Sequence, residues 1–373
     1  MRLLIDYRPA LRERSGAGEY THQLARALLA SRAVDLTIFS SSWKDRLVPG
    51  SELPGAAILD RRIPVRVLNL LWHRTGWPPV EALSAARFDV VHSSHPLLMP
   101  AREAAQVITI HDLNFLSHPE RTRAEVRRDY PPLVRSHAHR ADAIIVPSAF
   151  TAGEVERRLD VPSERIAVCP HGAPQWMPRS SPPKDGFLLF FSTLEPRKNV
   201  GGLLDAYEQL VARRAATIPD LVLAGKATDE ARPWLQRIAQ APLKGHVRHV
   251  GYVEPANRRA LYEGARMLVM PSFEEGFGIP VLEAMSLGVP VVAANRGSLP
   301  EVLGDAGSLI DPDRPQDLAA AIARLLEDDG FGADCYTRGL ARAKEFRWDR
   351  TAERVLAAYE QAIARRRQRS RAA

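Results

Sequence analysis

PSFEEGFGIPVLEAMSLGVPVVAA, residues 271–294, reads as the end of an apolar strand, a glycine-rich turn, a helix and a second apolar strand. Gly276 and Gly278 lack a Cβ and let the backbone of the turn approach a ligand closely. The helix is expected to open near Ile279 and run to Leu287, which puts unpaired N–H groups and a partial positive charge beside the turn. Such a helix start is a ready site for a phosphate. Glu275 stands in the turn and Glu283 inside the helix, spaced Glu-x7-Glu. A carboxylate accepts from hydroxyls, so Glu283 suits the two hydroxyls of a ribose and Glu275 a sugar beyond a diphosphate. An exposed helix glutamate and a loop charge are the plainer readings of the same residues.

Outward from this segment, short runs rich in Val, Ile and Leu alternate with longer helical patterns, as in parallel sheets covered on both faces. RLLID (2–6), DLTIF (35–39), DVVH (89–92), QVITI (106–110), DAIIV (142–146) and RIAVC (165–169) form a first series. FLLFF (187–191), DLVLAG (220–225), VRHVG (247–251), RMLVMP (266–271), VPVVAA (289–294) and GSLID (307–311) form a second. Between them PHGAPQWMPRSSPPKDG, 170–186, is crowded with Pro, Gly and Ser. The expected fold is therefore α/β: a Rossmann-like domain over 1–170, a linker over 171–186 and a second Rossmann-like domain over 187–345. WDRTAERVLAAYEQAIARR, 348–366, has helical apolar spacing, so 346–366 is expected to be a closing helix returning to the first domain, with 367–373 a basic tail. Ligands of such sheets bind beyond the carboxyl ends of the strands, so the two domains are expected to face a shared cleft.

A chain of 373 residues is long for one core and suits two. Its 25% charged and 45% hydrophobic residues are those of an ordinary globular protein. No apolar run approaches the roughly 20 residues that cross a bilayer, and MRLLIDYRPALRERSG turns charged before a signal-peptide core forms, so a cytoplasmic protein is expected. Cys169 and Cys335 lack a C-x2-C spacing and point to neither a disulfide framework nor zinc. The net charge of +7 admits nucleic acid, an anionic membrane surface or a phosphorylated substrate. Much of the excess is local, in RTRAEVRRDY (121–130) and ARRRQRSRAA (364–373). A solvated face and contact with an anionic membrane are both open readings, the second placing the protein peripherally on the inner face of the cytoplasmic membrane. Nucleic acid is not expected as a partner, because no zinc-finger spacing or aromatic-studded RNA-binding pattern accompanies the charge.

His111 and Asp112 directly follow QVITI, hence the carboxyl end of a strand, where a core histidine with a helix-capping aspartate is the plainer reading. Arg197 and Lys198, in TLEPRKNV, follow the first strand of the second series and set two cations near the phosphate turn. Gly16-Ala17-Gly18 on its own indicates a tight turn, and Thr21 replaces the third glycine of a dinucleotide fingerprint, which argues against a nicotinamide enzyme. His92 with His95, and His137 with His139, lack an H-E-x-x-H context and are not read as metal ligands.

SGAGEYTHQLARAL, HDLNF, ADAIIVPSAFT, STLEPRKNVGGLLDAY, the 271–294 segment and SLPEVLGDAGSLIDPDRPQDLAAAI stand in an order that resembles glycosyltransferase family 4, retaining enzymes of the GT-B fold, over nearly the whole chain. The resemblance is to the mannosyltransferase-like group. It implies transfer of a hexosyl unit from a nucleotide-diphosphate sugar to a hydroxyl of a glycan or lipid-linked glycan acceptor held by the N-terminal domain. By resemblance, His111 touches the donor sugar near the reacting carbon, Asp112 supports it, and Glu275 completes the reacting centre. Gly16, Gly18, Arg197, Lys198, Val253, Gly276, Phe277, Gly278, Ile279 and Glu283 form the implied donor-binding set. Fixed cations and helix N–H groups can stabilise the leaving diphosphate without a metal, which fits the lack of a DxD pattern, so neither cofactor nor metal is expected. No residue clearly serves as a carboxylate nucleophile, and the family's proposed alternative is front-face attack in which the departing phosphate oxygen takes the acceptor proton. GDP-mannose is the first expectation for the donor, UDP sugars the next. A nucleotide-sugar 2-epimerase of the same fold is the competing enzyme class, disfavoured by Glu-x7-Glu and the Arg-Lys pair.

Overall fold

The computed structural model describes every residue except 12, 13, 15, 44, 45, 48–52, 120–123, 184, 215–217 and 373; of 124–129, 214 and 372 it describes the backbone alone. The chain divides into two compact units, Met1–Gly172 with Arg347–Ala373, and Ala173–Phe346.

The first unit holds a seven-stranded sheet of β1 (Arg2–Asp6), β2 (Asp35–Ser41), β3 (Ala57–Arg61), β4 (Val90–Ser93), β5 (Ala105–Thr109), β6 (Ala143–Val146) and β7 (Ile166–Val168), in the spatial order β3-β2-β1-β4-β5-β6-β7. Every pairing is parallel. The second unit holds β8 (Phe187–Phe191), β9 (Leu221–Ala224), β10 (Val247–Gly251), β11 (Ala265–Met270), β12 (Val291–Ala294) and β13 (Ser308–Ile310), also all parallel, ordered β10-β9-β8-β11-β12-β13. Strands such as β5 and β12 are buried at every residue, which is why they read as unbroken apolar runs. The one strand absent from the sequence reading, β3, is an edge strand that buries only Leu59 and so carries almost no apolar signal.

Each sheet reverses its strand order once, between β1 and β4 in the first unit and between β8 and β11 in the second. At such a reversal the connections leave in opposite directions and open a crevice at the carboxyl ends of the two central strands, the favoured ligand position in α/β sheets.

The closing helix spans Trp348–Ala372 and belongs to the first unit. Ala352, Val355, Tyr359 and Ala362, at helical spacing, pack into the core formed by Leu3, Ile5, Tyr20 and Leu24. Tyr359 also hydrogen-bonds His92 Nδ1 at 2.7 Å, and His92 Nε2 meets Thr109 Oγ1 at 2.8 Å. Two sequence-based boundaries need correction. The basic end read as a tail after residue 366 continues the helix to Ala372, since Arg365, Arg366 and Arg369 all find backbone carbonyl acceptors in the first unit. The stretch read as a linker belongs to the second unit from Ala173 onward. There the buried Arg179 donates to the carbonyls of Ala265 and Gly288, and its own carbonyl accepts from Tyr336 Oη at 2.9 Å.

Cys169 and Cys335 are free and buried, as expected of small apolar side chains. Among the described residues no helix is long and apolar enough to cross a membrane. The basic stretch 121–130 falls largely outside the described residues: 121–123 are not described, and of 124–129 only the helical backbone is.

Candidate active site

Arg197 and Lys198 follow β8, and the turn Phe273–Gly278 follows β11, so these segments sit on the two strands that flank the reversal of the second sheet. Phe273 N donates to the Arg197 carbonyl at 2.9 Å, which locks the two loops together. Asn199, in the left-handed region at φ 55°, turns the chain into the next helix while its amide donates to the carbonyls of Pro271 and Pro312. The turn after β11 ends at Gly278, whose φ of 105° makes it the N-terminal cap of the helix Ile279–Ser286. Pro280 in the first turn lacks an N–H that the helix start leaves unused anyway. Phe277 is buried against Phe346, with ring centroids 5.9 Å apart, and pins the turn to the unit's core.

The cations and the first glutamate are joined directly. Lys198 Nζ donates to Glu275 Oε1 at 2.6 Å and Oε2 at 2.8 Å, and Arg197 stands 3.5 Å from Glu275 Oε2. Arg197 also pairs with Glu195 and donates to the Glu274 carbonyl. Burial alone would push the Glu275 carboxyl up, but the charges of Lys198 and Arg197 outweigh it and hold the group below the ordinary carboxylate value. The Glu275 carbonyl accepts from Ser298 N at 3.0 Å and Ser298 Oγ at 2.9 Å. Next to it, Gly297 lies so close that a Cβ would stand 2.7 Å from that carbonyl, at a φ of 61° that already excludes most side chains.

Glu283 occupies a separate buried position one turn into the helix, where Oε2 accepts from Tyr262 Oη at 2.7 Å and Oε1 lies 3.5 Å from Arg258. The plainer reading of an exposed helix glutamate is thus excluded. Val253 lies just after β10, partly buried against the same core as Phe277 and Ile279.

In the first unit, Gly16 opens the helix Gly16–Ser31 and Gly18 lies inside it. A Cβ on Gly18 would stand 2.5 Å from the Pro9 carbonyl, so close packing of the helix on the loop after β1 already requires glycine there. His111 follows β5, its Nε2 donating to the Ser94 carbonyl at 3.1 Å and its ring edge-on to Tyr20. A carbonyl only accepts, so Nε2 carries the proton; burial lowers the pKa more than Ser94 and Asp112 raise it, which leaves the ring neutral and Nδ1 an acceptor. Asp112 accepts from Asn114 N at 3.2 Å and shapes the turn into the short helix that follows. At the strand reversal itself lies a cluster the sequence reading missed. Asp6, buried at the end of β1, accepts from Arg8 Nε at 2.8 Å and Nη2 at 2.6 Å, and from His95 Nε2 at 3.0 Å. Burial would raise the Asp6 pKa, but Arg8 and His95 overcome it and hold the group strongly ionised.

Two family models divide the chain between them: "Glycosyltransferase Family 4" matches residues 14–174 and "Glycosyl transferases group 1" matches residues 175–342. The O-antigen chain mannosyltransferase B of Escherichia coli is 30% identical over 382 residues, covering 96% of this chain and all of that protein. The chain belongs to glycosyltransferase family 4. A D-inositol 3-phosphate glycosyltransferase of Thermobispora bispora is 27% identical, covering 96% of this chain and 92% of its own. Among solved structures, the sucrose-phosphate synthase of Thermosynechococcus elongatus superposes with a TM-score of 0.79 at 20% identity, covering 97% of this chain and 99% of its own. Anabaena HepE in complex with UDP and glucose superposes at 0.71 and 20% identity, covering 95% and 98%. Both likenesses show the fold, which for this family 4 enzyme is GT-B.

The protein is therefore a glycosyltransferase of a retaining family that uses a nucleotide sugar, and the comparisons do not favour the epimerase reading. Of the residues expected in its site, the structure joins Arg197, Lys198 and Glu275 through direct contacts and sets Gly276–Ile279 at the adjoining turn. It adds Tyr262 and Arg258 as partners of Glu283, and Ser298 with Gly297 as the support of Glu275. Ser298 lies in SLPEVL, one of the segments that carry the family resemblance; nothing in the spacing of Tyr262 or Arg258 points to Glu283.

Proposed function

We propose that this glycosyltransferase moves a mannosyl unit from GDP-mannose, with retention, to a hydroxyl of a glycan or lipid-linked glycan. The observation that carries the donor site is the cluster of Arg197, Lys198 and Glu275 beside the helix start at Ile279, on the two strands where the second sheet reverses. The likeness to a mannosyltransferase over nearly the full length of both chains supports the sugar. In this reading Glu283 accepts from the ribose hydroxyls, Arg197, Lys198 and the helix N–H groups hold the diphosphate, and Glu275 addresses the hexose. His111, neutral, offers Nδ1 to a sugar hydroxyl, and Asp112 positions it. The bond from the anomeric carbon to the β-phosphate oxygen breaks, its electron pair leaving on that oxygen. The acceptor oxygen bonds to the same face of the carbon, and its proton passes to the departing phosphate. Charge grows on the leaving group as this happens, so fixed cations favour the transition state over the ground state.

The donor is tested by measuring nucleotide release from a panel of GDP-, UDP-, ADP- and dTDP-sugars, together with thermal shift against the four nucleotides. GDP-mannose should be turned over fastest and GDP should stabilise the protein most, by an amount set by its concentration over Kd. Preferential stabilisation by UDP with turnover of UDP-glucose would replace GDP-mannose by UDP-glucose, the sugar nucleotide with which Anabaena HepE has also been solved in complex. Transfer should also persist in EDTA, because the cations the reaction needs belong to the chain. A loss of activity in EDTA that magnesium restores would refute the metal-free part of the reading.

A further inference from the structure

Tyr20, in the helix Gly16–Ser31, is fully buried, and its ring packs at right angles to that of His111 with centroids 4.9 Å apart. Two arms of the first unit hold it there. At the hydroxyl, Tyr20 Oη lies 3.2 Å from Thr109 Oγ1, which lies 2.8 Å from His92 Nε2, while His92 Nδ1 lies 2.7 Å from Tyr359 Oη of the closing helix. Burial pushes the His92 pKa down to about 3, so the ring is neutral and carries a single N–H. Tyr359, also fully buried, keeps its phenol proton and donates it to Nδ1, so the imidazole N–H lies on Nε2 and donates to Thr109. At its face, Tyr20 stacks on His171 at 4.7 Å, and His171 stacks in turn on Trp348, the first residue of the closing helix, at 5.9 Å. Thr351 Oγ1 donates to the Pro170 carbonyl at 2.6 Å, and a Cβ on Gly172 would stand 2.5 Å from Trp348 Cγ, so the helix start is seated tightly on the segment that carries His171.

What a buried hydrogen-bond chain adds to apolar packing is one fixed orientation for each ring along it. We propose that Tyr20 is a positioning residue for the transfer reaction: held at its hydroxyl through Thr109, His92 and Tyr359 and at its face through His171 and Trp348, it fixes the ring of His111, so that the closing helix acts on the reaction from within the core. This role rests on His111 meeting the donor hexose as proposed above. The Ser94 carbonyl holds one corner of the His111 ring at Nε2, and Tyr20 restrains its swing about that corner. Reacting groups need such support, since a misplacement of about 1 Å costs up to ~100-fold in rate.

The test is the kinetics of nucleotide release by the full chain, well below its melting midpoint, from GDP-mannose or whichever sugar nucleotide proves fastest in the panel above. Tyr20→Leu should lower kcat by about tenfold or more, while KM for the donor and calorimetric affinity for the nucleoside diphosphate stay as in the wild type. Tyr20→Phe and Tyr359→Phe each cut one hydrogen bond of the chain but keep the ring, and each should lower kcat by about two- to tenfold. Thr109→Val should act in the same direction, and Thr109→Ser, which keeps the hydroxyl, should restore most of the rate. In the His111→Ala background Tyr20→Leu should cost nothing further, because Tyr20 acts through that ring. An equal loss in both backgrounds, or wild-type kcat in Tyr20→Leu where His111→Ala is impaired, would overturn the positioning role and leave the role of His111 in place. Wild-type rates in both Tyr20→Phe and Tyr359→Phe would overturn the link to the closing helix. Wild-type turnover by His111→Ala would instead remove His111 from the reaction, and the role of Tyr20 with it.

Discussion

Lys198→Ala is expected to lower both stability and transfer. Lys198 and Glu275 are each 6% exposed and joined at 2.6 and 2.8 Å, so deleting the ammonium leaves a carboxylate buried with only the more distant Arg197 charge. Breaking a buried pair from one side costs about 3–5 kcal/mol. For a unit of this size that corresponds to a fall of roughly 6–20 °C in unfolding midpoint. Removing both charges avoids the orphaned carboxylate, so Lys198→Met with Glu275→Leu should recover most of the midpoint while transfer does not recover. Calorimetric melting and nucleotide release separate the two effects. A Lys198→Ala midpoint equal to wild type would show that the pair does not stabilise the unit, and transfer by the double variant would remove both residues from the reaction.

Glu283→Ala is expected to act on binding instead. A ribose would lose a charged acceptor whose hydrogen bonds are worth roughly 1.5–3 kcal/mol, about ten- to 150-fold in affinity. Tyr262 and Arg258 would lose their buried partner as well, so Tyr262→Phe serves as the companion variant. It keeps the carboxylate while releasing its orientation, and should weaken nucleotide binding by less than Glu283→Ala. Titration calorimetry with the preferred nucleoside diphosphate decides it, and an unchanged affinity in Glu283→Ala would end the ribose assignment.

The two carboxylates mark where sequence reasoning reached and where it stopped. The strands were legible because a parallel sheet buries both faces and writes itself as apolar runs; β3 was not, because an edge strand with one buried leucine writes almost nothing. The glycine turn and helix start after β11 were legible because local backbone geometry demands those residue types nearby in sequence. Contacts between distant positions left no such trace. Lys198 and Glu275 stand 77 residues apart and were read as serving different parts of a donor, whereas in the folded chain each is the other's main partner. The Asp6–His95 contact spans 89 residues and the Tyr262–Glu283 contact 21, and neither belongs to any local pattern.

The closing helix imposes an order of assembly. Its Val355, Ala358, Tyr359 and Ala362 complete the core around Leu3, Ile5 and Tyr20, and Tyr359 caps the buried His92. During synthesis the first unit's seven strands therefore emerge long before their last covering layer. The first unit is completed only after all of Ala173–Phe346 has been made and can fold from a continuous stretch of chain. In the interval the apolar surface around Leu3 and Leu24 is open to wrong partners. Emergence of residues 347–372, rather than passage of residue 172, is the event that lets the first unit close.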